Sequence, residues 1–497
     1  MNRAQGKKGK LGEVANVTLK RVRNRVYYLV ALISGSDLLP VRFQYHTMQP
    51  VVRDASPVLQ SRENPICVGV DVVFSDNLIS HFDARWLWCN APHHRQPNTD
   101  SITPPLTGQR LPSALTPAPL LISAAACLSG SLLIMWENGQ TSLYPAAWLR
   151  EHDYSDEALA ASAHAATPAA PPLPLPNLET KKIGRDAVAT FLFADVLISD
   201  SVLWALLAAL DAGGLVLVTG APLAAGTVES FVSARFGPPM PTLWGNSPDV
   251  PNNAPAVNGL NALDLHVDLC AYEAPPGVQM LHCRRFDSAI VGGESTFING
   301  VAAAEALRSL NKEAFTALAK TPATFQRIAY ARSSGAALPS HYVFRRPHID
   351  VDASLAGGNV GNGIVRGVFW APMTEGPLRV PHASVAPYYA ARDIFGALLG
   401  DLHAGRGEGA NSLIEFRLQE GDIAIFNNRR MMHGRRAFWA EPKKNVADDG
   451  SAYVRTLQGC YIGTDEIISR MQSLRNIFGG TNAALPPLKR FGNAQLW

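Results

Sequence analysis

The chain has 497 residues, 47% of them hydrophobic and 17% charged, and a formal net charge of +3. That length exceeds one ordinary compact domain and predicts two, and the composition is that of a globular protein with a sizeable core. So balanced a charge gives no sign of a nucleic-acid partner, and the apolar run at 26–34 is too short to cross a membrane.

Residues 1–30 hold eight Lys or Arg and a single acid, Glu13. Such a segment reads either as a mitochondrial transit peptide or as a basic tail without structure, and residues 1–50 are taken as an extension. The six cysteines, at 67, 89, 127, 270, 283 and 460, form no CxxC pair and no regular framework. In a chain this long they read as reduced thiols of an intracellular protein, cytoplasmic or, given the basic start, mitochondrial.

Residues 51–155 predict a small β-rich domain. Val68–Phe74 alternates and is β-branched, and 132–136 runs into Glu137-Asn138-Gly139, where Asn-Gly accepts the positive φ angles of a tight hairpin turn. Trp86, Trp88, Trp136 and Trp148 read as the core of this domain. His93 and His94 beside Cys89 fall short of the four N or S ligands that zinc needs. The Ala- and Pro-rich stretch 156–178 then forms a semi-rigid linker, because proline fixes φ and removes donors.

The second domain, 179–485, opens with a helix capped by Ser199-Asp200, running to about Leu210 and ended by Gly213-Gly214. A buried strand Leu215–Thr219 and a helix from Thr227 to Phe236-Gly237 follow. Further strands are expected at 263–270, 278–286, 364–370, 413–418, 422–427 and 453–462, with one helix over Val301–Ala319 carrying the stripe Leu307, Leu310, Phe315 and Leu318. Non-locally paired strands with a few flanking helices suit a mainly β fold, a double-sheet jelly roll.

Two distant stretches carry the chemistry. In a strand, residues i and i+2 face the same way, so His266 and Asp268 of Leu265-His266-Val267-Asp268 are placed to grip one ion while Val267 packs behind. A histidine from a distant strand, such as His433 in the stretch 426–435, completes a two-His-one-carboxylate set, which suits Fe(II) and leaves positions open. A bare His-x-Asp is weak by itself; the surroundings raise its weight.

HVDLCAYEAPPGVQMLHC, GGESTFINGVAAAEAL, FRLQEGDIAIFNNRRMMHGRRAF and RTLQGCYIGTDEI resemble the gamma-butyrobetaine hydroxylase and trimethyllysine hydroxylase family. These are Fe(II)- and 2-oxoglutarate-dependent dioxygenases of the taurine dioxygenase-like group. The likeness covers about 180–475, and FDARWLWCN and IMWENGQTSLYPAAWLREHDYS resemble the small β domain that precedes catalysis there. It implies a double-stranded β-helix (jelly-roll) catalytic domain and a homodimer. It implies His266, Asp268 and His433 as iron ligands, and Arg455 as the partner of the distal carboxylate of 2-oxoglutarate, with a hydroxyl from Ser295 or Thr296, Ser295 favoured. Asn427 and Asn428 are expected to shape the turn before His433. With O2 and a small-molecule substrate, the implied reaction hydroxylates an unactivated C–H and yields succinate and CO2.

The family's cage for a trimethylammonium group is only partly present. Trp244 and Tyr461 fall at cage positions, whereas Pro248 and Asn258 stand where aromatics are expected. Residues 365–370 also replace the asparagine-bearing strand that receives the substrate carboxylate, leaving Arg366, Trp370 and Tyr272 as candidates for a differently shaped pocket or for packing. This argues for a related betaine, amino acid or secondary metabolite over gamma-butyrobetaine, with gamma-butyrobetaine or trimethyllysine hydroxylation in carnitine biosynthesis as the alternative. The family's zinc positions correspond to Ala91, His93, Gln96 and Gln140, and one ligand cannot hold a structural zinc. A metal-dependent hydrolase or isomerase, or a non-catalytic binding protein on the same barrel, stays open as another class.

Overall fold

The computed structural model describes residues 20–22, 25–27, 50–59, 67–94, 121–126, 130–159, 183–251, 261–329, 339–353, 356–406, 413–440 and 455–478. Most of the expected extension and linker, together with Asn258 and Gln96, lie outside the described residues. The chain divides into two compact units, the first ending at Leu159. No helix among the described residues is long and apolar enough to cross a membrane.

The first unit contains two three-stranded antiparallel sheets, Val52–Leu59 with Cys67–Phe74 and Ile79–Asp83, and Leu121–Ala126 with Leu132–Trp136 and Thr141–Tyr144. Alternation turns Val70, Val72, Phe74, Leu132, Ile134 and Trp136 into one core. Trp88 and Trp136 are buried there, while Trp86 and Trp148 pack against its edge. Burial obliges the polar tips to find partners: the Trp136 indole donates to Ser142 Oγ (2.8 Å) and the Tyr144 hydroxyl to the Leu87 carbonyl (2.6 Å).

The second unit is mainly β with flanking helices. A six-stranded major sheet runs in the order Asp249–Pro251, Arg455–Ile462, Val278–Phe286, Ile423–Asn427, Leu215–Thr219, Thr190–Leu192. A four-stranded minor sheet runs Leu263–His266, Met431–Arg435, Ser295–Asn299, Ile414–Phe416. Every pairing is antiparallel except Leu215–Thr219 with Thr190–Leu192.

Period-two alternation sorts the side chains into layers. Ile423 and Ile425 face outward to a core shared with the helices Asp200–Gly213, Thr227–Arg235 and Thr464–Phe478. Ala424 and Phe426 face inward, meeting Phe297 and Phe416 of the minor sheet. The minor sheet's outer face, including Ile298 and Met432, packs on Gly300–Leu310, Lys312–Lys320 and His382–His403. The turn feeding Ile423–Asn427 needs glycine: Gly421 has φ +85°, and a Cβ there would lie 3.0 Å from the Ala221 carbonyl.

Two expectations change. The single helix over Val301–Ala319 is two helices, broken at Asn311, whose side chain accepts from Ala314 N (2.8 Å) and caps the second. Leu310, counted in the apolar stripe, is accordingly exposed. The strand expected over 263–270 ends at His266.

Candidate metal centre

His266 closes its strand directly opposite His433, and Phe297 flanks His433 on the other side, so the pairing turns both imidazoles toward the major sheet. Their rings lie 4.2 Å apart, centroid to centroid. Asp268 reaches the same point by a different route from the one its spacing suggests. It lies in the turn after the strand, just before Leu269, whose φ of +58° is costly for a side chain branched beyond Cβ. Asn428 holds this turn from both sides, accepting from Asp268 N through Oδ1 and donating to Asp268 O through Nδ2, each at 3.1 Å.

One ligand atom from each of His266, Asp268 and His433 lies within 4.8 Å of the others. His266 Nδ1 donates to the Asp264 carbonyl (2.8 Å), which leaves Nε2 facing Asp268 Oδ1 at 3.3 Å. Metal-ligating histidines characteristically have this arrangement. Asp268 Oδ2 accepts from the Gln279 amide (2.7 Å) and the Tyr461 hydroxyl (2.8 Å), a directly opposed pair on neighbouring major-sheet strands. Oδ2 is thereby fixed and Oδ1 remains for a cation.

The electrostatics agree. Burial opposes the Asp268 charge, but the hydrogen bond to His266 and the proximity of His433 hold its carboxyl well below the usual carboxylate range. Burial and the nearby His266 push His433 down to about 3. An anionic oxygen beside the neutral His433 imidazole is the donor state a divalent cation needs. At His266 burial is outweighed by the hydrogen bond and charge of Asp268, which raise its pKa, so a cation binding there displaces a proton. Two imidazoles and one carboxylate are the chemistry that suits Fe(II) with open positions.

On the same face of its strand as Leu457 and Tyr461, Arg455 is buried between the rings of Phe286 (5.1 Å) and Phe438 (5.6 Å). Burial, with Arg435 nearby, lowers its pKa to about 10, and among the described residues it has no carboxylate partner. A buried cation of this kind calls for an anion.

A model of the taurine catabolism dioxygenase TauD, TfdA family matches residues 173–461. The chain belongs to this family. Gamma-butyrobetaine dioxygenase of Pseudomonas sp. (strain AK-1) is 29% identical over 415 residues, covering 82% of this chain and 94% of the relative. Gamma-butyrobetaine dioxygenase of Homo sapiens is 28% identical over 346 residues, 69% and 79% of the two chains. Dioxygenase str8 of Strobilurus tenacellus is 28% identical over 352 residues, 69% and 74%. The protein is a 2-oxoglutarate-dependent dioxygenase.

In this TauD-family chain the other expected site residues separate into groups. Ser295 stands opposite Arg435, on the face that carries His433. Thr296 points the other way and bonds His403 Nε2 (3.1 Å), so it does not share that interior. Trp244 and Tyr272 line a pocket together with His266 and Asp268. Trp370 does not: it is buried against His348 and Phe395, and only its carbonyl reaches the site, accepting from Val267 N (2.8 Å). Arg366 pairs with Asp352 (2.9 Å) across neighbouring strands and is likewise absent from the pocket lining. Tyr461, expected as a cage wall, spends its hydroxyl on Asp268. Asn427 shapes the turn as expected, accepting from Arg429 N and Arg430 N.

Sequence reasoning missed Gln279 and Arg327 and undervalued Asn428. Gln279 had a signal: it is a polar residue at an inward position of the otherwise apolar start of Val278–Phe286.

Proposed function

We propose that this dioxygenase holds Fe(II) through His266, Asp268 and His433 and hydroxylates an unactivated C–H bond of a small metabolite. The observation that carries the reading is the convergence of these three donors within 4.8 Å, with His266 Nδ1 and Asp268 Oδ2 already committed to protein partners. When bound, Fe(II) with 2-oxoglutarate supplies the oxidising power, O2 giving one oxygen atom to the substrate and one to succinate as CO2 leaves. Arg455 receives the distal carboxylate of 2-oxoglutarate, a role suited to a planar fork that makes two parallel charge-assisted bonds. Ser295, on the His433 face of the minor sheet, adds a hydroxyl. Tyr461 and Gln279 keep the Asp268 carboxylate aimed, and the aromatic layer of Phe297, Phe416 and Phe426 keeps water from the far side. Two facing sheets, antiparallel but for one edge pairing, support reading 179–485 as a jelly-roll catalytic domain.

Gamma-butyrobetaine is a second candidate substrate, favoured by the names of two relatives. Against it, Pro248 and Asn258 stand at cage positions and Tyr461 is turned to Asp268. The test is succinate formation from 2-oxoglutarate with Fe(II), ascorbate and O2 across a panel of betaines, trimethyllysine and amino acids. Substrate-stimulated succinate is expected, abolished in His266→Ala. No succinate with any compound, or an unchanged rate in the variant, refutes the reading. Efficient turnover of gamma-butyrobetaine refutes the substrate argument alone.

A further inference from the structure

The pocket beside the candidate metal centre carries one charged side chain that the proposed reaction leaves unused. Arg327 lies in the strand Ala323–Ala329, half-buried, and lines the pocket that His266 and Asp268 also line. Its place is set by the hairpin it belongs to: it pairs with Tyr342, and the Tyr342 ring stacks on Tyr272 at 4.3 Å and 13°. Its guanidinium lies over the Trp244 ring, 5.4 Å from the centroid. Trp244 is held in turn by a tight turn, its N–H donating to Thr242 Oγ1 (3.2 Å) while that hydroxyl donates to the Gly245 carbonyl (2.7 Å).

Among the described residues, Arg327 has neither a carboxylate partner nor a hydrogen-bond acceptor. The other oxygen-bearing side chains of the described lining have roles of their own. Asp268, the one carboxylate in the described lining, has Oδ2 bonded to Gln279 and Tyr461 and Oδ1 facing His266. Thr374 Oγ1 donates to the Ala371 carbonyl (3.2 Å). Among the described lining residues the one carboxylate belongs to the metal-binding trio, and Arg327 is the charged donor left for an arriving molecule.

This ledger decides between two kinds of substrate. A quaternary ammonium binds best on an open aromatic face, but the face of Trp244 is covered by a cation of the chain itself. A trimethylammonium group would have to displace that cation and then sit beside a like charge. A carboxylate, by contrast, meets a guanidinium held flat by its aromatic platform, pre-oriented to give two parallel charge-assisted hydrogen bonds. Resting on the dioxygenase reading of the same site, we propose that Arg327 on Trp244 is the residue that recognises the primary substrate, and that this substrate presents a carboxylate there. The cation-binding cage is replaced by an anion clamp, and the bond to be oxidised lies between that clamp and the metal-binding trio.

The test separates this proposal from the reaction. Under argon, with Fe(II) and saturating 2-oxoglutarate so that no turnover occurs, the full-length protein is titrated calorimetrically with hexanoate, hexanamide and hexyltrimethylammonium. Hexanoate is expected to bind at least about tenfold tighter than the amide, a difference of about 1.4 kcal/mol. That preference should vanish in Arg327→Gln, persist in part in Arg327→Lys, and reverse toward the trimethylammonium compound in Arg327→Glu. Equal affinity for acid and amide, undetectable hexanoate binding, or a preference that survives in a folded Arg327→Gln variant overturns the proposal. Failure of the dioxygenase reading itself shows elsewhere, as absence of succinate in air with every compound.

Discussion

Asp268 illustrates how much of a site is made by the residues around its ligands. Its main chain is clamped by Asn428 and its outer oxygen by Gln279 and Tyr461, so the carboxylate is aimed before any ion arrives. Outer partners of metal ligands are typically worth about 10- to 100-fold in affinity. Tyr461→Phe should therefore weaken Fe(II) binding by about that factor while leaving the fold intact, as read by anaerobic metal titration beside circular dichroism. An unchanged affinity would mean that the hydroxyl does not orient the carboxylate. The candidate ligands could be picked out because His-x-Asp and a remote histidine make a recognisable donor set, and the fold brings these three side chains together. The strand assumed to unite them was not correct, since Asp268 is positioned by tertiary hydrogen bonds from residues 11, 160 and 193 positions away. Tyr461 was legible as a site position but not in its direction; its parity with Leu457 and its pairing with Gln279 settle that it faces inward.

Among the elements, the inner strands were readable because β-branched and aromatic residues alternate in them, as in Ile423–Asn427. The break at Asn311 was hidden because apolar spacing continues across it. Capping chemistry wins there over periodicity: Asn311→Ala should cost about 1 kcal/mol, seen as a lower urea midpoint, and an unchanged midpoint would deny the cap its part. The long helix His382–His403 went unread because Pro387 lies inside it and glycines at 396 and 400 lower its propensity. Packing compensates. Its Tyr388 hydroxyl bonds His348 Nε2 (2.9 Å), while His348 Nδ1 donates to the Phe369 carbonyl (2.9 Å).

That arrangement requires a neutral imidazole, and burial, with Arg392 adding repulsion, pushes His348 down to about 4 from an ordinary 6.5. The sign follows from proton counting. Between pH 6.5 and 4 the unfolded chain binds the proton and the folded one does not, so stability is full above 6.5 and falls as the pH drops toward 4. One such group contributes about 3 kcal/mol at most across that window. Urea unfolding of His348→Gln should show a shallower loss of stability between pH 6.5 and 4 than the unmodified chain, and an identical slope would contradict the account.

At the scale of the whole molecule, the second unit is a stack of helices, sheet, interior, sheet and helices, with the interior divided by chemistry. One part is filled by Phe297, Phe416 and Phe426; the rest holds the His266, Asp268 and His433 trio and the buried Arg455. Hydrophobic patterning explains the first part and says nothing of the second, because buried polar groups interrupt the very signal by which a core is read. The mainly β character of the larger unit follows from local patterns. The recognition hairpin that carries Arg327 does not, since Ser340–Arg346 alternates between half-buried and exposed positions with little apolar contrast. The pocket's charge thus came from the fold alone.

The central claim is that three side chains from two distant stretches of the chain hold one iron. Anaerobic titration of Fe(II) into the protein and into its Asp268→Ala variant tests it most directly. The account predicts one ion per chain, with binding lost in the variant while the fold survives; equal stoichiometry and affinity in both would contradict it.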